Sequence, residues 1–424
     1  MSCNCISVIG LGYIGLPTAA VFASRKQKVI GVDVNQNTVD IINAGQVHIV
    51  EPGLEVMVEE GVKRGFLRAV TSPEQADAFL IAVPTPFLVK SLMESIPEPD
   101  LSYVESAARA IAKVLKKGDI VILESTSPVG TTEKMAEWLA QERQDLTFPQ
   151  THGSISDIRI AYCPERVLPG NAINELIQND RVIGGMTESC SEAAIEIYSS
   201  FVEGNYVTTN ARTAEMTKLT ENASRDVGIA FANELSVICD DLDIDVWELI
   251  RLANRHPRVD ILQPGPGVGG HCIAVDPWFI VDRSPHLSKL IKEARNVNDR
   301  KPLWVIDKVK LAIADILLKN PSKSSCDISI AFYGLAFKPN IDDLRESPAL
   351  LIAKKIIAMH SGTVLLVEPN IKSLPESLKN GQLSALDESI AGADIHVLLV
   401  DHSEFYNRRP SSGIVIDTRG IWSA

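Results

Sequence analysis

The sequence predicts an α/β protein with two open-sheet domains joined by a central helical domain. Three observations carry that prediction. Residues 1–206 alternate short apolar runs with amphipathic stretches, residues 207–318 carry long helical patterns, and residues 325–424 return to the alternation. Apolar runs that alternate with helical periodicity are the pattern of a parallel sheet covered by helices on both faces. At 424 residues the chain also exceeds what one hydrophobic core serves, so two or three domains are expected.

Composition narrows the class of partner. Forty-one basic residues against 54 acidic ones give a formal charge of −13, which argues against nucleic acid or an anionic membrane surface. Any phosphate must therefore meet a local basic cluster. The seven cysteines, at 3, 5, 163, 190, 239, 272 and 326, form neither a metal-ligand spacing nor a disulfide framework, so no metal site is expected and a reducing cytoplasm fits. Ile6 to Ala23 is apolar but rich in glycine and lacks a positive region before it, so it reads as folded protein rather than a signal segment. No other stretch approaches the roughly 20 apolar residues of a membrane span, and no membrane insertion is expected.

The first element is CISVIGLGYIGLPTAAVFASRKQKVIGVDVN, which reads as a strand, the turn Gly10-x-Gly12-x-x-Gly15, a helix, a second strand and then Asp33. The acid follows the glycines by about 20 residues, as a Rossmann-like dinucleotide site needs. There the glycines admit pyrophosphate to a helix N-terminus and the carboxylate takes the ribose hydroxyls. Asp33 would repel a 2′-phosphate, so the expected cofactor is NAD rather than NADP.

Further strands are expected at Ala78 to Val83, Ile120 to Glu124 and Ile158 to Cys163, with an amphipathic helix over Tyr103 to Leu115, all in a doubly wound parallel sheet. The strands run into the turns AVPTPF, LESTSPVGTT and YCPERVLPG. Ligands of such sheets gather beyond the carboxyl ends of the strands, so Thr85, Thr126 and Glu165 are expected to face one cleft. Ordinary turn chemistry accounts for the same residues equally well. Phe87 to Pro99 and Gln144 to Asp157 read as plain loops.

In TAEMTKLTENASRDVGIAFANELSVICDDL the residues Lys218, Asn222 and Arg225 share one helical face. That face is either a solvated charged stripe or the site of a partly buried amine acting as acid or base. Arg255, His256 and Arg258 then cluster, which in an acidic protein points to phosphate. The stretch PGPGVGGHCIAVDPW follows, where Cys272 comes after four glycines within eight residues. Glycines so dense let backbone N–H groups turn toward a ligand, and a thiol among them is a candidate nucleophile. From this stretch alone, a small hydrophobe buried under a glycine-rich loop is the equal alternative.

His286 to Leu318 reads as a long helix of the kind that often dimerises. After it, DISIAFYGLAF, SPALLIAKKIIAMHSG, TVLLVEP, ADIHVLLVDH and SGIVIDTRG read as strand, helix, strand, strand and strand. The first turn of this second sheet, YGLAFKPNIDDLRES, lacks the three-glycine run and carries Lys338 and Arg345. Those cations are either exposed loop charges or contacts to a different nucleotide.

GLGYIGLPTAA, ESTSPVGTTEKMAEWLA, AYCPERVLPG, ANRHPRVDILQPGPGVGGHCIAVDPWFI and GLAFKPNIDDLRESPA together resemble the UDP-glucose/GDP-mannose dehydrogenase family, and the resemblance spans the whole chain. It implies an NAD-binding Rossmann domain at 1–206, a central helical, dimerisation and catalytic-loop domain at 207–318, and a UDP-sugar-binding Rossmann-like domain at 325–424. Cys272 matches the family's nucleophile, Lys218 its general acid/base and Asp276 its water-activating group, with Glu165 as a second candidate and Asn222 and Thr126 holding the water or oxyanion. Gly10, Gly12, Tyr13, Ile14, Gly15, Asp33, Thr85, Thr126 and Arg345 fall where the family binds NAD. Arg166, Val167, Lys218, Asn222, Arg225, His256, Arg258, Gly269, Phe337, Lys338 and Arg419 fall where it binds the nucleotide sugar. The resemblance further implies a homodimer in which Arg258 reaches the neighbouring subunit's site. Ala223 and Ser224 stand where relatives carry a bulkier residue, and Arg419 stands where a lysine is expected. Pocket shape chooses among N-acetylmannosamine, N-acetylglucosamine and glucose as the sugar of the UDP-sugar. A one-step hydroxyacid or sugar-phosphate dehydrogenase would leave Cys272 and the second sheet unexplained, and a non-catalytic NAD-responsive protein would not need the acid, base and thiol.

Overall fold

The structure, a computed structural model, describes residues 4–88, 96–167, 170–270 and 272–422. It divides into two compact units, Met1–Glu221 and Asn222–Ala424, with the boundary inside one long helix.

The first unit runs β1 (Cys5–Ile9), α1 (Gly15–Ser24), β2 (Lys28–Val32), α2 (Gln36–Asn43), α3 (Leu54–Lys63), β3 (Leu67–Val70), β4 (Ala78–Ile81), α4 (Ser102–Ala112) and β5 (Ile120–Leu123). It continues through α5 (Thr131–Glu142), α6 (Pro149–His152), β6 (Arg159–Tyr162), α7 (Ala172–Gln178), β7 (Arg181–Gly185), α8 (Glu188–Tyr198) and β8 (Tyr206–Asn210) into α9 (Ala211–Asp241). The strands form one sheet in the order β3-β2-β1-β4-β5-β6-β7-β8. Successive side chains leave opposite faces of a strand, so the apolar runs feed two cores. Ile6, Val8, Leu80 and Ile122 pack with Leu16, Ala20 and Phe22 of α1. Ile9, Phe79, Ile81 and Val121 pack with Ala108 and Ile111 of α4 and Met135 and Leu139 of α5. Helix α1 is apolar nearly all round because it lies under the sheet, with nine of its ten residues buried. Strand order reverses between β1 and β4, which puts the ligand crevice at their carboxyl ends.

The second unit holds the rest of α9, then α10 (Val246–Ala253), α11 (Asp276–Arg283), α12 (Lys289–Lys319), β9 (Ile330–Tyr333), α13 (Pro348–Met359) and β10 (Val364–Val367). It ends with β11 (Gln382–Leu383), α14 (Leu386–Gly392), β12 (Ile395–Leu398) and β13 (Ile414–Asp417). Its sheet has the order β11-β10-β9-β12-β13 and is parallel throughout. Helices α9 and α12 meet through buried polar side chains. Arg295 pairs with Asp226 at 2.6 Å, Asn298 donates to Asp226, and Asn233 donates to Asn298. Two open α/β sheets with a helical stretch between them along the chain are the predicted fold class.

Four expectations need correction. The first sheet is not wholly parallel, since β7 runs antiparallel to β6. Strand β8 occupies Tyr206–Asn210, so the helical region begins at Ala211. The stretch 144–157 contains α6 and a 3-10 turn at Gly153–Ile155, which Pro149 at the first helical position starts. Strands β4 and β5 stop before Val83 and Glu124, because Ser125 there takes the Val83 N–H on its hydroxyl and returns a bond to the Val83 carbonyl. The ends of the 87–99 loop meet in a Phe87–Pro99 bridge, while its residues 89–95 lie outside the described residues. So do Cys3 and, from the quoted motifs, Leu168, Pro169 and His271.

Candidate functional site

In the first unit the turn after β1 has the shape a pyrophosphate needs. Gly10 has φ +90°, and a β-carbon there would sit 2.5 Å from the Ala82 carbonyl oxygen. At Gly15 a β-carbon would fall 1.8 Å from the Gly10 carbonyl oxygen, so that glycine lets helix and strand pack. At Gly12 a β-carbon would meet nothing within 4 Å. The glycine is therefore not required by the protein's own packing, and the space beside it is open to a ligand. Tyr13 is exposed and Ile14 half-buried on the same turn. Asp33, just past β2, takes the Leu11 N–H at 3.0 Å and the Asn35 N–H at 2.9 Å while staying partly accessible.

The carboxyl ends of β4 and β5 bring two further candidates together, and Glu165 past β6 has other partners. Thr85 donates through its hydroxyl to the Thr126 carbonyl at 2.7 Å, which joins two turns 41 residues apart. Glu165 is buried; one carboxylate oxygen takes the Arg166 N–H at 2.7 Å and the other pairs with Arg181 at 2.9 Å. Arg166 pairs in turn with Glu221 of α9 at 2.7 Å. Val167 is half-buried against the core under α1.

Lys218 lies on α9 and is buried to 9% exposure. One turn earlier, the fully buried Glu215 accepts from the Gly130 N–H at 2.6 Å, the Thr132 N–H at 2.8 Å and the Thr132 hydroxyl at 2.6 Å. Burial pushes the Glu215 carboxyl up, and those three donors oppose it. This carboxylate occupies the N-terminus of α5, where unpaired N–H groups favour an anion. It thereby fastens the turn of α9 before Lys218 to the loop that carries Thr126. The solvated-stripe alternative fails for Lys218, although Asn222 is half-buried and Arg225 exposed on the same helix.

In the second unit Cys272 is exposed, which removes the buried-hydrophobe alternative. Its carbonyl accepts the Asp276 N–H at 2.9 Å and the Val275 N–H at 3.1 Å, so the thiol sits on the turn that starts α11. Asp276 is the first residue of that helix and is 2% exposed. Its carboxylate takes the Asn222 amide at 2.5 Å, which joins α9 to the cysteine turn across 54 residues. The glycine stretch before the cysteine is fixed by close approaches. A β-carbon at Gly269 would sit 2.5 Å from the Glu346 carbonyl oxygen and 3.1 Å from Phe337, and one at Gly265 would sit 2.6 Å from the Arg419 guanidinium. Phe337 and Arg419 thus gather around the 264–270 stretch, and the Gly265 N–H is held by buried Asn233 at 2.9 Å. Arg419 also pairs with Asp401 at 2.7 Å. Lys338 is half-buried, and Arg345 is exposed and pairs with Asp343 of its own loop at 2.6 Å. His256 and Arg258 are exposed neighbours on the turn after α10, where the Arg258 N–H meets the His256 ring at 3.3 Å.

Sequence reasoning missed Arg181, Glu215, Glu221 and Asn233. Glu215 had one usable signal, an acid one helical turn before the candidate lysine. The other three show nothing locally.

Sequence models of three domains of the UDP-glucose/GDP-mannose dehydrogenase family match the chain: the NAD binding domain at residues 4–202, the central domain at 212–300 and the UDP binding domain at 331–424. The chain is 63% identical over 426 residues to the UDP-N-acetyl-D-mannosamine dehydrogenase of Escherichia coli K12, covering 100% of both chains. It is 60% identical over 422 residues to the NDP-N-acetyl-D-galactosaminuronic acid dehydrogenase of Ralstonia nicotianae, covering 99% of this chain and 96% of the relative. Its fold is similar to that of a UDP-D-ManNAc dehydrogenase from Pyrococcus horikoshii, with TM-score 0.85, 38% identity and coverage of 98% and 96%.

Proposed function

This chain belongs to the UDP-glucose/GDP-mannose dehydrogenase family and is an NAD-dependent dehydrogenase, and on that premise we propose that it oxidises UDP-N-acetyl-D-mannosamine at C6 to the uronate. The observation that carries the chemistry is an exposed thiol, Cys272, on the turn that opens a helix at Asp276, whose carboxylate is tied to Asn222. The sugar rests on the full-length likeness to the Escherichia coli relative.

The coenzyme fits the first turn, where the space at Gly12 is open and the Asp33 carboxylate is within reach of solvent. Held there by the glycine turn and Asp33, two NAD molecules in succession would supply the hydride acceptor for the two oxidations. Lys218 takes the C6 hydroxyl proton as the alcohol becomes an aldehyde. The Cys272 thiolate then adds to the aldehyde carbon and forms a thiohemiacetal anion, because an aldehyde as it stands is a poor hydride donor. Loss of the second hydride leaves a thioester on Cys272. Asp276, with Glu165 as the alternative, takes a proton from water, whose oxygen attacks the thioester carbon and expels the thiolate. Asn222 and Thr126 hold the water or the oxyanion during that step. Overall, one alcohol, one water and two NAD give one carboxylate, two NADH and three protons.

Residues up to 210 supply the NAD site, 211–318 the helical and cysteine elements, and 325–424 the site for the UDP group, with Arg166, Arg225, Lys338 and Arg419 as cations for the nucleotide sugar. The enzyme acts in the cytoplasm as a homodimer, with Arg258 reaching the neighbouring site. The exposed Phe231, Ile238 and Leu242 along and just past α9 support such an interface. Among the described residues no helix is long and apolar enough to cross a membrane. The uronate would supply enterobacterial common antigen or a related surface polysaccharide. A second reading, a nucleotide sugar of the N-acetylgalactosamine series, is favoured by the Ralstonia relative.

The test is NADH yield per mole of UDP-N-acetylmannosamine, UDP-N-acetylglucosamine, UDP-N-acetylgalactosamine and UDP-glucose under excess NAD. Two NADH from the first alone are expected. Two from another sugar alone would keep the chemistry and discard the substrate, and one or none from all four would overturn both. Cys272→Ser is expected to lose acid formation, and acid made at the wild-type rate would remove covalent catalysis.

A further inference from the structure

The antiparallel strand β7 has a consequence at the edge of the first sheet. Its register with β6 pairs Ala161 with Gly185 and Tyr162 with Gly184, so continuing outward sets Arg181 opposite Glu165. A parallel strand would have put its first residue at the far edge of the sheet. Arg181 is 3% exposed. Its guanidinium donates to Glu165 at 2.9 Å and to the Leu176 carbonyl at 3.3 Å, and lies over the rings of Tyr198 and Phe201 at 5.1 and 5.8 Å. Beside it, buried Glu124 takes the Tyr198 hydroxyl at 2.6 Å on one oxygen, and its other oxygen has no hydrogen-bond partner among the described residues.

Two carboxyl groups thus lie beside one guanidinium, all three buried. Burial pushes the Glu124 carboxyl up to about 7, with Glu165 adding to the rise and Arg181 opposing it. Near neutrality Glu124 is therefore substantially protonated, and the charge of Arg181 serves Glu165. A buried ion pair is poor evidence for stability, since desolvation offsets most of the attraction, but it fixes direction. With one Glu165 oxygen on the Arg166 N–H and the other on Arg181, that carboxylate cannot rotate away from the strand ends.

We infer that Arg181 is a positioning residue for this reaction: through its ion pair it aims the Glu165 carboxylate at the site. The inference rests on the proposed role of Glu165 in thioester hydrolysis. It concerns only how that carboxylate is held.

The experiment compares E165Q, R181M, R181K, the E165Q/R181M double variant and E124Q as full-length enzymes. Each is checked for NADH binding and a folded circular-dichroism spectrum, then acid-quenched during turnover and weighed for acylated Cys272. R181M is expected to lower kcat on the order of 10- to 100-fold, as misaimed groups do, with KM changed less than threefold. Acyl-enzyme should accumulate in it as in E165Q, and the double variant should be no slower than the slower single one. R181K keeps the charge and should recover at least threefold over R181M. E124Q mimics the protonated acid and should stay within twofold of wild type. If R181M fails to fold, R181K carries the test, with acyl-enzyme above the wild-type level expected. A slow E165Q beside an R181M, or R181K, that accumulates nothing would overturn the inference, as would an E124Q as slow as R181M. An E165Q that turns over like wild type would instead remove the role of Glu165.

Discussion

The turns that open the two sheets are built alike and end differently. Gly10 follows β1 and Gly334 follows β9, with φ of +90° and +86°. A β-carbon on either would strike the chain just past the next strand inward, at Ala82 in one case and Val400 in the other. Each N–H bonds to the last residue of the second strand, Val32 or Val367, at 2.8 Å in both. An acid follows each second strand, and each accepts the N–H of the residue after the glycine: Asp33 from Leu11 and Glu368 from Leu335. There the likeness stops. Asp33 stays partly accessible, whereas Glu368 is 4% exposed and also takes the Ala336 N–H at 3.1 Å and the His402 ring at 3.0 Å. One acid can meet a ribose; the other is used up stiffening its own turn. The same topology therefore leaves an accessible acid beside an open glycine turn in one sheet and a buried, fully engaged acid in the other.

Substitutions can break this contrast. The largest expected effect is Asp33→Ala, which should raise the KM for NAD roughly 10- to 100-fold, the worth of hydrogen bonds to a charged group. Steady-state kinetics at saturating UDP-sugar would show it, and an unchanged KM would mean that Asp33 does not touch the coenzyme. The mirror change, Glu368→Gln, should leave the KM for NAD within twofold and cost about 2–3 kcal/mol of stability, since it disturbs a buried charged acceptor. Urea midpoints measure that, and a coenzyme effect larger than the stability effect would erase the distinction between the turns. Gly12→Ala sharpens it at a single atom. With no neighbour within 4 Å, the methyl should change stability by less than about 0.5 kcal/mol, yet raise the KM for NAD about 10-fold by standing where pyrophosphate approaches.

The smallest effect expected is on acid sensitivity. Burial alone would push the Glu368 carboxyl up, but hydrogen bonds from His402 and the Leu335 N–H hold it below its ordinary value. A carboxyl whose folded pKa lies below its unfolded one adds stability above the unfolded value, and that stability is lost as pH falls through the folded value. The gap in urea midpoint between wild type and Glu368→Gln should therefore narrow as pH is lowered from 7 into the acid range. A gap that stays constant would show that the carboxylate's charge is not what stabilises the turn.

The coenzyme turn is legible in the sequence because its signal is local. Three glycines at fixed spacing, a helix and an acid all fall within one strand–helix–strand unit. The meeting of Thr85 and Thr126 is half legible, because turns at the carboxyl ends of neighbouring parallel strands share an edge wherever the sheet order is known. Cys272 is legible as a candidate and undecided as to burial, since dense glycines mark a close approach without saying what approaches. The contacts at Gly269 and Gly265 come from Glu346, Phe337 and Arg419, more than 60 residues further along the chain.

By itself the sequence determined the alternation of strands and helices, the glycine turn with the acid that follows its second strand, and the chemical types available at 165, 218, 222, 272 and 276. All of these follow from short-range periodicity and spacing. Only the tertiary structure decided that β7 is antiparallel, that Arg181 therefore stands beside Glu165, that Glu215 reaches the start of α5, and that Asn222 holds Asp276. Pairings of that kind join residues 16 to 85 positions apart. No local preference selects among the ways a chain can close such loops, and burial of the whole sheet and its helices makes the choice.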